Sequence, residues 1–105
     1  MKNDMFYPVY NITPTDSMGN SFYSSEITNI KQRLSDCGVK LDTSSATHLG
    51  AAFRDCKSIE LPEINCNGVT SGSGIGYLFY QATRLKTIDK VIINNPKITS
   101  FEGTF

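Results

Sequence analysis

Large apolar residues recur along this chain in one frame. In Leu49-Gly50-Ala51-Ala52-Phe53-Arg54-Asp55-Cys56, a large apolar residue is followed four positions later by a second, and three positions after that by a cysteine. Close variants stand in Ile75-Gly76-Tyr77-Leu78-Phe79-Tyr80-Gln81-Ala82, in Ile30-Lys31-Gln32-Arg33-Leu34-Ser35-Asp36-Cys37 and, in part, in Phe101-Glu102-Gly103-Thr104-Phe105. Cys37 and Cys56 are 19 residues apart; Cys56 to Ala82 and Phe79 to Phe105 are each 26. Self-similarity of this length predicts units that bury their apolar faces only by stacking on one another.

Residues i and i+4 share one face of a helical turn, so each copy is expected to aim its two large residues into a common core. The expected core is Ile30, Leu34, Cys37, Leu49, Phe53, Cys56, Ile75, Phe79, Ala82, Phe101 and Phe105, faced by the strand residues Ile59, Leu61, Leu85 and Ile88. Short strands are predicted at 39–42, at 59–61 with 63–66 as an extension beyond Pro62, at 85–88 and at 91–93. A helix over 24–37 is predicted from Ser24 or Ser25 as cap, Glu26 at the positive end, the Ile27, Ile30, Leu34 stripe and Gly38 as terminator. The whole reads as an α/β solenoid, a leucine-rich-repeat-like stack of strands and helical turns. Its divisions are an irregular arm over 1–22 with a short strand near 6–12, a capping helix over 23–38, and a solenoid over 39–105 truncated in its last copy.

Composition narrows the function classes. Ten basic and ten acidic residues cancel, so nothing draws the chain to nucleic acid or to an anionic membrane. No apolar run approaches the roughly 20 residues of a membrane span, and residues 1–6 lack the apolar core of a secretion signal. Cys37, Cys56 and Cys66 make an odd set without paired spacing; Ala82 in the same slot points to buried free thiols. His48 with those cysteines has no metal-site spacing, and no cofactor is expected. Gly72-Ser73-Gly74-Ile75-Gly76 lacks the lysine of a phosphate loop and reads as a flexible connection. Tyr77 and Tyr80 flank a core Phe79 as an aromatic platform, but no basic stripe accompanies them. The scattered carboxylates show no acid–base pair, and the chain is not expected to be an enzyme.

Phe53-Arg54-Asp55-Cys56-Lys57-Ser58-Ile59-Glu60-Leu61-Pro62 resembles the F-x-x-C-x-x-L-x-x-(I/L)-P core of BspA-like leucine-rich repeats, found in bacterial surface proteins and in some prophage regions. Phe79-Tyr80-Gln81-Ala82-Thr83-Arg84-Leu85-Lys86-Thr87-Ile88 is similar, with Ala82 in the cysteine slot. The resemblance implies a curved solenoid used for adhesion or recognition, at a cell surface or on a phage particle. The expected function is therefore a non-enzymatic module binding a protein or glycan, with Lys40, Glu60, Lys86 and Asp89 as contacts on the exposed strand face. The alternative is a structural segment of a phage tail or surface fibre. It would self-associate through the uncapped end at Phe105, where an incomplete copy exposes apolar side chains.

Overall fold

The computed structural model describes residues 10–105. Its regular elements are β1 (Tyr10–Ile12), α1 (Ile30–Asp36), β2 (Val39–Leu41), β3 (Glu60–Leu61), β4 (Ile64–Asn65), β5 (Thr87–Ile88) and β6 (Val91–Ile92). The strands form three separate two-stranded parallel sheets: β1 with β2, β3 with β5, and β4 with β6. Tyr10 pairs with Val39, Glu60 with Thr87, and Ile64 with Val91. Residues 6–9 of the expected 6–12 strand lie outside the described residues.

No solenoid forms, and the expected fold class is corrected accordingly. The molecule is a small compact globule, with one short helix among the described residues, a radius of gyration of 13.7 Å and extents of 44 × 26 × 18 Å. Two local causes are visible. Pro62 has no N–H to donate, so the predicted 59–66 strand breaks into β3 and β4, each only two residues long. The expected helical turns do not form either. Ala51, Asp55, Tyr77 and Gln81 hold φ of 55° to 57°, and a left-handed residue at every fourth position excludes α-helix.

These left-handed residues build irregular turns that pair with one another in register. Within a turn, Ala52 N–H donates to Leu49 C=O, Arg54 to Ala51 and Cys56 to Phe53. The alternate N–H groups point outward: Leu49, Ala51, Phe53 and Asp55 donate to Gly74, Gly76, Leu78 and Tyr80. Tyr77 and Phe79 donate in turn to Glu102 and Thr104. A turn left out of the expected set stands at the other side. Met18, Asn20, Phe22 and Ser24 donate to His48, Gly50, Ala52 and Arg54, and Asn20 and Ser24 are again left-handed. Met18-Gly19-Asn20-Ser21-Phe22-Tyr23-Ser24-Ser25 is therefore the true counterpart of residues 49–56. The 30–37 segment is not.

That exchange explains the departures in the core. Phe53 is fully buried between Phe22, at 5.2 Å between ring centroids, and Phe79, at 6.1 Å. Leu49, Cys56, Leu61 and Ile75 are also fully or almost fully buried, with Ile30 and Phe79 close behind. Leu34, Ala82, Leu85 and Ile88 are half-buried against this core. Cys37 was expected inside and is exposed, because it is the C-cap of α1; Ser25 fills the slot assigned to it. Ile59 is 39% exposed, since it precedes β3 and only Leu61 of that segment points inward. Phe101 and Phe105 keep their register, Phe105 lying 6.0 Å from Phe79, but they are outermost and 52% and 77% exposed. The core also takes in Met18, Ala46, Ala52, Ile64, Cys66, Val69, Leu78 and Ile98.

Helix α1 starts later than predicted. Asn29, not Ser24 or Ser25, is its N-cap, with the side-chain oxygen accepting from Gln32 N–H at 2.9 Å. Ser24 sits at φ 56°, in the left-handed region, which removes it from any helix. Gly38 ends the helix at φ 69°, as its freedom at positive φ allows.

Candidate functional site

A cleft of about 530 Å³ lies between α1 with β2 on one side and the β3–β4 segment on the other. Its floor is set by Thr43, whose buried hydroxyl accepts from Asn65 N–H at 2.7 Å and donates to Asn65 C=O at 3.0 Å. This double bond to one residue ties the chain after β2 to β4. Asp42, beside it, accepts the Ser44 N–H at 2.9 Å. The Ser44 hydroxyl and N–H hold the Asp42 carboxyl below its usual range. Lys31 of α1 reaches Asp89, between β5 and β6, at 2.6 Å, and the carboxylate raises the lysine's pKa. Lys40 and Glu63 complete the charged rim, with Ser35, Ser44 and Pro62 among the other lining residues.

The four expected contact residues separate into groups. Lys40 and Asp89 both line the cleft. Glu60 does not: one of its oxygens accepts from Asn29 Nδ2 at 2.8 Å and so braces the start of α1. Lys86 is exposed ahead of β5, and its backbone N–H serves Ile59 C=O at 2.9 Å. Alternation along a strand could suggest which residues face outward, but not that α1 would fold across to make a wall beside Lys40.

A second cluster was not foreseen as a site. Tyr23, Arg54 and Tyr80 each follow the ring residue of their turn and fall side by side when the turns pair. The Arg54 guanidinium carbon lies 5.4 Å from the Tyr23 ring centroid, 5.3 Å from Tyr77 and 5.0 Å from Tyr80. Tyr77 and Tyr80 meet edge to face at 5.2 Å. The Tyr77 hydroxyl donates to Glu102 Oε1 at 2.7 Å, and that carboxylate pushes the phenol's pKa up. Gly103 lies against the Tyr77 ring at φ 65°; a Cβ there would collide with the ring. The sequence carries the signal in Phe22-Tyr23, Phe53-Arg54 and Phe79-Tyr80, but only the pairing of the 18–25 turn with residues 49–56 brings these residues side by side.

The residues weighed for other chemistry are dispersed into structure. His48 Nδ1 accepts the Gly50 N–H at 3.1 Å, and its ring packs against Gly50. Cys56 and Cys66 are buried free thiols, the latter pushed up to about 11 by desolvation. Among the described residues no three His, Cys, Asp or Glu side chains are placed to hold a metal ion, and no helix is long and apolar enough to cross a membrane. Compared with known proteins, the chain matches no family model, no curated protein and no solved structure.

Proposed function

We propose that this chain is a non-enzymatic recognition module that binds a protein or glycan partner through the cleft beside β2. The observation that carries the reading is the cleft itself, about 530 Å³ in volume, with Lys31, Lys40, Asp42, Glu63 and Asp89 lining it around a fixed polar floor. Such a surface offers donors and acceptors that are already positioned, so little ordering cost opposes binding. The similarity of residues 53–62 and 79–88 to BspA-like repeats supports a recognition role, although the fold expected from it does not carry over. Peptide and glycan arrays probed with the labelled chain test the reading. A partner whose signal drops about tenfold or more in Lys40→Glu is expected, the loss typical of a central contact. An array on which nothing binds, or on which Lys40→Glu binds as well as wild type, would sink it.

A second reading, self-association in a larger assembly, is favoured by the outermost rings. Phe101 and Phe105 are 52% and 77% exposed, and Phe105 continues the aromatic column beyond Phe79. Light scattering across a concentration series separates the two. A mass that rises with concentration in wild type and stays monomeric in Phe105→Asp supports assembly; a constant monomer mass removes it.

A further inference from the structure

One wall of the cleft is a strand edge rather than a strand face. Gly38, Val39, Lys40, Leu41, Asp42, Thr43 and Ser44 line it without a break. Side chains alternate between the two faces of a strand, so consecutive residues share one concavity only where it runs along their edge. Resting on the reading that this cleft is where a partner binds, we propose that its occupant is an extended peptide segment. The segment adds to β2 as a strand, through the backbone groups of Val39 and Leu41.

Pairing with β1 uses only the other edge of β2. Gly38 C=O accepts from Tyr10 N–H at 2.8 Å, and Asp42 N–H donates to Ile12 C=O at 2.8 Å. Tyr10 stands opposite Val39 and Ile12 opposite Leu41, a parallel register that turns the N–H and C=O of Val39 and Leu41 away from β1. No group of a described residue bonds to them, and β2 is the last strand of its sheet on that side. Both residues are half-buried. Two donors and two acceptors therefore stand unspent along the cleft. On the far wall, Asn65 has already given its N–H and C=O to the Thr43 hydroxyl, so β2 is the edge with groups to offer.

Spacing selects a peptide over a glycan. The β2 edge repeats its N–H and C=O every second residue, about 6.6 Å apart. An extended peptide carries complementary groups with the same repeat and meets all of them together. A glycan carries its hydroxyls around rings, with no alternation of donor and acceptor in that period. In strand addition, main-chain bonds give affinity and alternate side chains give specificity. Lys40 and Glu63 supply opposite charges along the path for reading those side chains. A second folded copy is the poorer occupant. Three residues of strand, a central lysine and flanking walls all keep an edge from pairing with another sheet.

The test starts from an array of hexapeptides and glycans probed with the labelled full chain, and at least one peptide is expected to bind. Amide exchange followed by NMR then reads the edge. Val39 and Leu41 should exchange quickly in the free chain and about tenfold or more slower with the peptide bound, while Asp42 stays protected throughout. Two forms of the peptide, N-methylated at odd or at even positions, complete the test. Only one set of N–H groups faces β2, so one form should lose about tenfold or more in affinity and the other little. The proposal is overturned if only glycans bind, if both methylated forms bind alike, or if Val39 and Leu41 exchange unchanged. A glycan weakened by Lys40→Glu would keep the cleft as the binding site while removing the peptide from it. Protection of Val39 and Leu41 that appears without peptide, as the mass rises with concentration, would give the edge to a second copy and overturn the proposal as well. An array on which neither class binds removes both readings.

Discussion

Single residues carry much of this molecule's specificity through polar groups placed inside it. Ser58 is fully buried; its hydroxyl accepts the Ile30 N–H at 2.8 Å and donates to Glu60 C=O, joining the start of α1 to β3. Asn95 donates through one amide nitrogen to the carbonyls of Cys66, Asn67 and Val69, closing the loop after β4. The buried Cys66 thiol makes a pH prediction. Its folded value is raised from 9.0 to about 11, so the folded chain holds that proton more tightly than the unfolded chain does. Its contribution is present below the ordinary thiol value and is lost as pH rises through that window. Unfolding midpoints measured across this range should fall with pH, and fall less steeply in Cys66→Ala. Equal slopes would contradict the burial. None of these polar roles was legible in the sequence. A serine or asparagine becomes a brace only when a distant backbone group arrives beside it, here 28 positions away for Ser58 and 26 to 29 for Asn95.

At the scale of elements, the strand positions were the readable part. Val39–Leu41 and Val91–Ile92 fall inside the stretches that alternation and β-propensity marked out, with bounds trimmed by a residue. The turns were not readable, because apolar spacing of four suits both a helix and a turn that resets at every fourth residue. Left-handed φ at Ala51, Asp55, Tyr77 and Gln81 decides the matter, and none of these is a glycine to announce it. The helix shows the same limit. Its seven residues are too few to stand alone, so its start is fixed by Asn29, which caps Gln32 and grips Glu60 of β3. Replacing Asn29 with Ala should cost about 1 kcal/mol for the cap alone. Asn29→Asp should recover part of it, keeping the acceptor while setting a second carboxylate beside Glu60. Urea melts of the three proteins check this; an Asp variant as stable as wild type would show that the bond to Glu60 contributes nothing.

Across the whole molecule, the paired turns hold one continuous column of rings: Phe22, Phe53, Phe79 and Phe105. Position in that column sets the cost of losing a ring. Phe53→Ala removes a side chain covered on both faces and should lower stability by about 3–5 kcal/mol, measured by denaturant unfolding. Phe105→Ala should barely register in the same assay, because the ring is 77% exposed. Comparable losses at the two positions would mean that Phe105 is covered in solution. The turn pairing has a further consequence for how such a chain tolerates insertions and deletions. From Met18 to Leu49 the offset is 31 residues, and from Leu49 to Ile75 and Ile75 to Phe101 it is 26, yet all these positions come into register. The extra length beside the first turn is absorbed where α1 lies. Genetic drift in length is therefore cheap between turns, where residues can be added without disturbing the hydrogen bonds. Inside residues 49–56 a single inserted codon would move every later left-handed position by one and exchange outward for inward N–H groups. Lineages descending from this sequence should vary in length almost wholly outside its turns.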